Sequence, residues 1–342
     1  VVVPMSDHTG ALVGVLQLMN RRLADGTFAP YPADLVPLLL SLATQAAVSV
    51  KANQLTASIR RLFEDFARAS IMAVELRDPT TAGHSNRVAD FSVALAKVVD
   101  RAVDGPYSSV TFTREEIREL QTAALLHDFG KISIPERVLV KAKKLDEDEL
   151  LRIRDRFDFA LEAEDAAAYR SLLASLLEAD VPPSPEDLRL LDLSRSERAQ
   201  ELEELFEELR RANEPTVLPE EAGGTLRSLL TRSYRDRRGV VTPLLSDTEF
   251  QLLSIRKGSL SVEERTQIES HVSHTYRFLS SIPWTADLAR IPEIAHAHHE
   301  KLDGTGYPRR LQGAEIPIQS RMMTISDIFD ALVAWDRPYK KA

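Results

Sequence analysis

The chain has 342 residues, with 43 Lys and Arg against 52 Asp and Glu; the formal charge of −9 argues against a binder of duplex nucleic acid, which needs a cationic surface to neutralise phosphates. At 44% hydrophobic and 28% charged it has a globular composition, long enough for about two domains of roughly 100–200 residues each, and neither disordered nor collagen-like. The absence of Cys excludes disulfides, zinc thiolates, iron–sulfur clusters and thiol nucleophiles; any metal must be held by His, Asp or Glu, and a cytoplasmic location is expected.

Residues 1–20 alternate as strands do. Val1-Val2-Val3-Pro4-Met5, the polar turn Ser6-Asp7-His8-Thr9-Gly10 and the run Ala11 to Asn20 predict a β-hairpin. From Asp34 to about Arg77, apolar residues fall at helical spacing, Leu55, Ile59, Leu62, Phe63 and Phe66 among them, which predicts one long connecting helix, either continuous or broken near Ala52. Its apolar seam predicts a parallel homodimer. The most apolar run, Leu35 to Val50, is shorter than the roughly 20 residues of a membrane helix and is interrupted by Ser41, Thr44, Gln45 and Ser49, so no membrane span is expected. There is no initiating Met and no basic leader, which predicts a chain cut from something longer, without a signal peptide. In VPMSDHTGALVGVLQLMNRR and PLLLSLATQAAVSVKANQL, residues 1–55 resemble the closing third of a GAF domain, a small-ligand sensory module.

From Leu76 to Leu145, and again from Ser259 onward, the pattern is helical. Between them, about residues 146–256 are rich in Glu, Asp, Arg and Leu, with leucines at i+3 and i+4, and read as a helical insertion. Pro182-Pro183, Pro185, Pro215, Pro219 and Gly223-Gly224 divide it, and the Gly-Gly pair predicts a mobile loop. The insertion is either a solvated helical hairpin or a regulatory or dimer-forming lobe.

Seven of the eight histidines, all but His8, lie beyond the hairpin. His127-Asp128 closes an apolar helix at Gly130, a glycine suited to a C-terminal turn. Adjacent helical residues diverge by about 100°, yet a carboxylate can bridge two ions beside an imidazole, a geometry suited to a dinuclear site. A second donor group, His296-Ala297-His298-His299-Glu300, abuts a loop stiffened by glycines and proline, Asp303-Gly304-Thr305-Gly306-Tyr307-Pro308. The apolar helix Arg321 to Ala334 carries Asp327 and Asp330, one of which is expected to face inward and to need a cationic partner.

In this order, HDFGK and HHEKLDGTGYP, with LRDPTTAGHSNRVADFSVALAK, KGSLSVEERTQIESH, RMMTISDIFDAL and RPYK, resemble the HD-GYP subgroup of the HD phosphohydrolases over about residues 70–145 and 257–342. The resemblance implies a mainly α HD-type bundle, truncated at its C-terminus, spanning 78–342 and carrying the insertion, after a partial α/β GAF-like domain and a connecting helix at 56–77. It implies metal ligands at His84, His127, Asp128, His271, His298, His299 and Asp327, with Asp128 bridging. A three-metal variety has Glu where this chain has Thr80, so two divalent ions, iron or manganese, are expected; ligand type alone does not choose between metals.

The implied activity is hydrolysis of cyclic di-GMP to linear pGpG and on to GMP, a diguanylate cyclase domain being the natural partner. In an acidic protein the ions must supply the positive charge that a phosphodiester anion demands and activate the attacking water. Lys131 resembles the family lysine beside the scissile phosphate, or serves as a C-terminal helix cation. Arg337 and Lys340 resemble phosphate contacts, or form surface ion pairs. Residues Asp303, Gly304, Gly306, Tyr307 and Pro308 line a substrate groove or merely make a turn. His274 shares a helical face with His271 and is a supporting residue or an alternative ligand, while His296 and His8 receive no role and Arg321 is expected to order the fold. The rival functions are a catalytically silent cyclic-dinucleotide receptor or interaction module and an HD enzyme acting on mononucleotides.

Overall fold

The computed structural model describes residues 1–78, 82–218 and 222–334. It is mainly α, with eleven helices and two two-stranded sheets among the described residues. The chain divides into two compact units, Val1–Ala73 and Val74–Ala342.

In the first unit, β1 (Val2–Ser6) pairs antiparallel with β2 (Leu12–Gln17), Val3 opposite Leu16, with an irregularity between Met5 and Ser6. The turn is tied by Asp7, whose Oδ1 accepts from the Thr9 amide at 2.9 Å and the Ala11 amide at 3.1 Å, while Gly10 takes a φ of 83° that a side chain would resist. The hairpin rests on the start of α1 (Val36–Glu75), where Val3, Leu39 and Ala43 are buried together. Of the two readings of this segment the continuous helix is the one found: α1 runs unbroken for 40 residues, because no Pro or Gly interrupts its second half. By length and composition Ala33–Glu75 is long and apolar enough to cross a membrane, its most apolar window having a mean hydropathy of 1.5. The polar residues that interrupt Leu35–Val50 therefore do not lower its hydropathy below that of a spanning segment, although Leu39 and Ala43 are already covered by the hairpin.

In the second unit, α2 (His84–Asp100), α3 (Arg114–Leu126), α9 (Val262–Ser280), α10 (Ile291–His296) and α11 (Ile318–Val333) form the bundle that carries the site. Here α3 packs on α2 and α10, α11 packs on α2, and α9 lies against α10 and the turn at Phe129–Ser133. The helix starts are written locally. Thr113 with Glu116, and Ser261 with Glu264, form reciprocal capping boxes that satisfy the first amides of α3 and α9. The short α4 (Glu136–Leu139) follows the Phe129–Ser133 turn.

Between α4 and α9 the chain builds a lobe with its own core. In it α5 (Glu147–Ala179) and α6 (Pro185–Ala212) form a hairpin with Phe157 against Phe206 at 5.5 Å, and the buried Asp165 holds Arg195 and Arg198 of α6 at 2.5 and 2.6 Å. Then come α7 (Ala222–Thr231), a small hairpin of β3 (Ser233–Arg235) and β4 (Val241–Pro243), and α8 (Asp247–Leu253). That hairpin departs from the all-helical expectation; three-residue strands are too short to show an alternating pattern. Leu145, Leu209, Leu229, Leu245 and Leu253 close the lobe core. Its two ends meet, the buried Lys144 ammonium donating to Leu253 O at 3.0 Å and Lys141 pairing with Glu264 of α9 at 2.7 Å, while Leu145 N donates to Asn213 Oδ1 at the end of α6 at 2.6 Å. A long segment can thus leave and return without parting the bundle helices.

Gly223-Gly224 is a correction to the expected mobile loop, for both residues lie in the first turn of α7. An added Cβ would meet nothing within 4 Å at either position. Gly223→Ala and Gly224→Ala are therefore each expected to stabilise the lobe by about 0.5 kcal/mol, read as a higher urea midpoint, because Ala loses less backbone entropy on folding. A lowered midpoint would show that the helix is not the folded state there.

Candidate metal centre

The apolar face of α3 buries Leu120, Ala123, Ala124 and Leu126 and delivers His127 to the bundle interior at its C-terminal end. The chain leaves helical geometry at Asp128 (φ −98°, ψ 5°) and tightens into the Phe129–Ser133 turn, so two adjacent residues both reach the site. Gly130 is not a left-handed cap, as the sequence suggested; it is a point of contact. A Cβ there would lie 2.0 Å from His271 O on α9, and Thr275 Oγ1 ties the same spot by accepting from Gly130 N at 2.8 Å and donating to His127 O at 2.9 Å.

Six side chains converge as two groups of candidate donors, His84, His127 and Asp128 in one, His271, His298 and His299 in the other, each with its ligand atoms within 4.8 Å of one another. Asp128 faces both: Oδ1 lies 3.1 Å from His271 Nε2, and Oδ2 lies 3.4 Å from His127 Nε2 and 4.0 Å from His84 Nε2. Asp327, on α11, reaches His84 Nε2 at 3.1 Å.

The tautomers follow from the partners. His127, His271 and His298 each place Nδ1 on the carbonyl three residues back, at 2.7, 2.6 and 2.6 Å. A carbonyl only accepts, so Nδ1 carries the proton and Nε2 is left with its lone pair. All three Nε2 atoms are buried and have no hydrogen-bond partner. Three inward lone pairs beside two carboxylates are a donor set that fits divalent cations.

Electrostatics agree with that reading. Burial keeps His127 and His298 below the usual histidine range and pushes His299 down to about 4, with His271 adding to the shift of His299. Burial opposes charge on both carboxylates, yet Lys131 and His127 hold Asp128, and His84 and His127 hold Asp327, well below the ordinary carboxylate value. Burial likewise disfavours charge on His84, but the hydrogen bond to Asp327, the charge of Asp128 and the hydrogen bond to Asp330 outweigh it and raise its pKa. Lys131 Nζ sits 2.8 Å from Asp128 Oδ2 and 3.8 Å from Asp78 Oδ2; burial works against its charge, and Asp128 more than compensates. Its cation is thus directed into the site rather than left on the last turn of a helix.

The loop after His299 is braced from within. Buried Glu300 accepts from the amides of Arg309 and Leu311 at 2.7 and 2.9 Å, Asp303 Oδ1 accepts from the Thr305 amide at 2.9 Å, and Gly304 takes a φ of 77°. Gly306 lies so near the backbone of Glu300 and Lys301 that a Cβ would come within 2.5 and 2.4 Å of them. Tyr307 stacks on His299 with ring centres 4.8 Å apart, and its bond to the exposed Pro308 is cis. Burial and the nearby Glu269 raise the Tyr307 pKa, so the phenol keeps its proton. Tyr307, by its ring, and Gly306, by its closeness to the His299 carbonyl, are loop residues set directly against a candidate ligand.

Both Asp327 and Asp330 face inward, where one was expected. Asp330 is the main residue that sequence reasoning missed: it is buried and accepts from His84 Nδ1 at 2.7 Å and from Arg87 Nε at 2.6 Å. Its i,i+3 spacing from Asp327 was the available signal. His274 turns to Ser133 Oγ and not to the donor groups, His296 stacks on Tyr276 at 4.1 Å, and Arg321 binds the carbonyls of Ile316 and Gly313 at 3.0 and 2.6 Å. Thr80, Arg337 and Lys340 lie outside the described residues.

A helical bundle with a buried, doubled His/Asp cluster defines the class. Two HD domain family models match the chain, one over residues 81–205 and one over 248–342, and between them they take in every candidate ligand. The chain belongs to the HD-domain family. It is 45% identical over 87 residues to a 3'3'-cGAMP-specific phosphodiesterase 3 of Vibrio cholerae, a match covering 25% of this chain and 18% of the relative. To a cyclic di-GMP phosphodiesterase of the same organism it is 40% identical over 92 residues, 26% of this chain and 18% of the relative. To a cyclic di-GMP phosphodiesterase of Thermotoga maritima it is 41% identical over 86 residues, 25% of this chain and 23% of the relative. The chain thus spans less than a quarter of the length of these relatives.

Proposed function

We propose that this chain hydrolyses a cyclic dinucleotide, cyclic di-GMP foremost, opening one 3′–5′ phosphodiester to linear pGpG and then yielding GMP. The observation that carries the reading is Asp128 standing between two donor groups, its oxygens facing one group each. His84, His127, Asp128 and Asp327 would hold one divalent ion, and Asp128, His271, His298 and His299 the other, iron or manganese in both. Once bound, two such ions offset phosphate charge and activate water.

The protein's own groups do the rest. Asp128 orients the Lys131 ammonium, which faces charge developing on the scissile phosphate and assists the leaving oxygen. Tyr307 shields His299 from solvent. The braced loop of Asp303, Gly304, Gly306 and Pro308 forms one wall of the substrate groove, and Arg337 and Lys340 meet its phosphates. Residues 1–55 are read as the end of a GAF-like sensory domain joined by residues 56–77 to the hydrolase, with the lobe at about 146–256 inserted into it; a cytoplasmic location and a diguanylate cyclase partner belong to the same reading.

The test is anaerobic purification, elemental analysis and product analysis on one sample, with cyclic di-GMP, 3'3'-cGAMP and mononucleotides offered side by side. Two ions per chain and a linear product from cyclic di-GMP are expected, with both lost in His127→Ala. Binding without turnover would instead identify a receptor, and preferred cleavage of mononucleotides would replace the substrate.

A parallel homodimer through α1 is part of the proposal. Val48, Ala52, Leu55, Ile59, Leu62, Phe66 and Ala69 alternate at spacings of four and three, and all are exposed. Ile59 falls at an a position between Leu55 and Leu62 at d, the arrangement that favours two parallel strands, while Arg60, Arg61, Glu64 and Arg68 lie off the seam. Leu55→Asp combined with Leu62→Asp is expected to convert a dimer at low micromolar concentration into a monomer by light scattering. An unchanged mass would remove the seam from the interface.

A further inference from the structure

The candidate ligands do not share one kind of support. His127, His271 and His298 rest Nδ1 on a neutral backbone carbonyl of the preceding turn. His84 is the first residue of α2, where no preceding turn offers such a carbonyl, and its Nδ1 rests on the carboxylate of Asp330 at 2.7 Å instead. The carboxylate is itself held by a fork from Arg87, Nε to Oδ1 at 2.6 Å and Nη2 to Oδ2 at 3.0 Å, and Arg87 is anchored in turn to Ala82 O at 3.1 Å. Asp330 therefore has little freedom to turn away from the imidazole. A full negative charge behind Nδ1 makes Nε2 a stronger donor than a carbonyl does, and it fixes the ring plane.

We propose that Asp330 is a positioning residue that makes the two ion positions unequal, strengthening the one built from His84, His127, Asp128 and Asp327 over the one built from His271, His298, His299 and the shared Asp128. The inference rests on the metal reading above and deepens it. Charge count points the same way: the first position has two carboxylates and a third behind His84, whereas the second has three imidazoles and only the shared carboxylate. Hard divalent ions such as manganese favour the carboxylate-rich position.

The experiment is a calorimetric titration of the metal-free chain with Mn²⁺. The wild type is expected to fill in two steps at least tenfold apart in affinity. Asp330→Asn keeps an acceptor but removes the charge, and is expected to weaken the tighter step by about 10–100-fold, leaving the weaker step and the melting temperature of the metal-free chain nearly unchanged. If that variant does not fold, Arg87→Gln serves in its place: the carboxylate stays but its fork is lost, and the tighter step alone is expected to move. Two equal sites in the wild type would overturn the proposal, as would a variant that weakens both steps alike or neither. Failure of the wild type to bind Mn²⁺ at all would sink the metal reading itself, a result distinct from equal binding at two sites.

Discussion

Asp128→Asn is expected to leave the chain folded but unable to hold a pair of ions, with the proposed hydrolysis of cyclic di-GMP falling by about a thousandfold or more. The size of the effect follows from position. Asp128 faces both donor groups, 3.1 Å from His271 on one side and 3.4 Å from His127 on the other, and it is also the 2.8 Å partner of Lys131. An amide in its place offers one oxygen and one NH₂, so it can serve one group only. Toward the other it presents a donor to an Nε2 lone pair that a cation would need. The same change removes the charge that orients the Lys131 ammonium. Elemental analysis should show fewer than two ions per chain, and the melting curve of the metal-free variant should separate this loss from unfolding. Retention of both ions together with wild-type turnover would remove Asp128 from the bridging role.

Gly130→Ala is expected to be the most damaging single methyl addition near the site. Its Cβ would lie 2.0 Å from His271 O, 2.7 Å from Thr275 N and 2.8 Å from His271 C, all backbone atoms in the middle of α9. None can rotate aside, so α9 must shift bodily from the Phe129–Ser133 turn. That shift breaks the Thr275 hydroxyl bridge to Gly130 N and His127 O and draws His271 away from Asp128. A loss of about 3 kcal/mol or more is expected, at the upper end of overpacking costs, together with weaker binding of ions in the group of His271, His298 and His299. Urea unfolding measures the first effect and Mn²⁺ titration the second. Gly223→Ala is the control, because its Cβ meets open space. Equal stability of Gly130→Ala and the wild type would mean that α9 does not press on this turn.

Much of the site was legible through the family resemblance, which rests on residue types that are unusual where they stand. A His-Asp pair ending an apolar helix, or two adjacent histidines before a glycine-rich loop, is hard to explain as ordinary packing. Helix starts are equally local, since Thr113-x-x-Glu116 and Ser261-x-x-Glu264 each span only four residues. What escaped depends on distant partners. Gly130 suggests a helix cap until α9 is seen against it, and Asp330 is indistinguishable from Asp327 until α2 is laid beside α11. Gly223-Gly224 reads as a break by propensity, yet the leucines beside it in α7 bury Leu226 and Leu229 in the lobe core, and that burial offsets the weak helix preference of glycine.

By itself, the sequence determined the helical periodicity, the N-terminal capping boxes and the inventory of imidazoles and carboxylates, because each depends on residues a few positions apart. Only the tertiary structure decided which ring nitrogen faces the cluster, that Asp128 stands between two donor groups and that His84 leans on Asp330, a residue 246 positions away. Those choices are made by packing: a histidine's tautomer follows from whichever acceptor the fold places beside Nδ1, and local propensity carries no information about that neighbour.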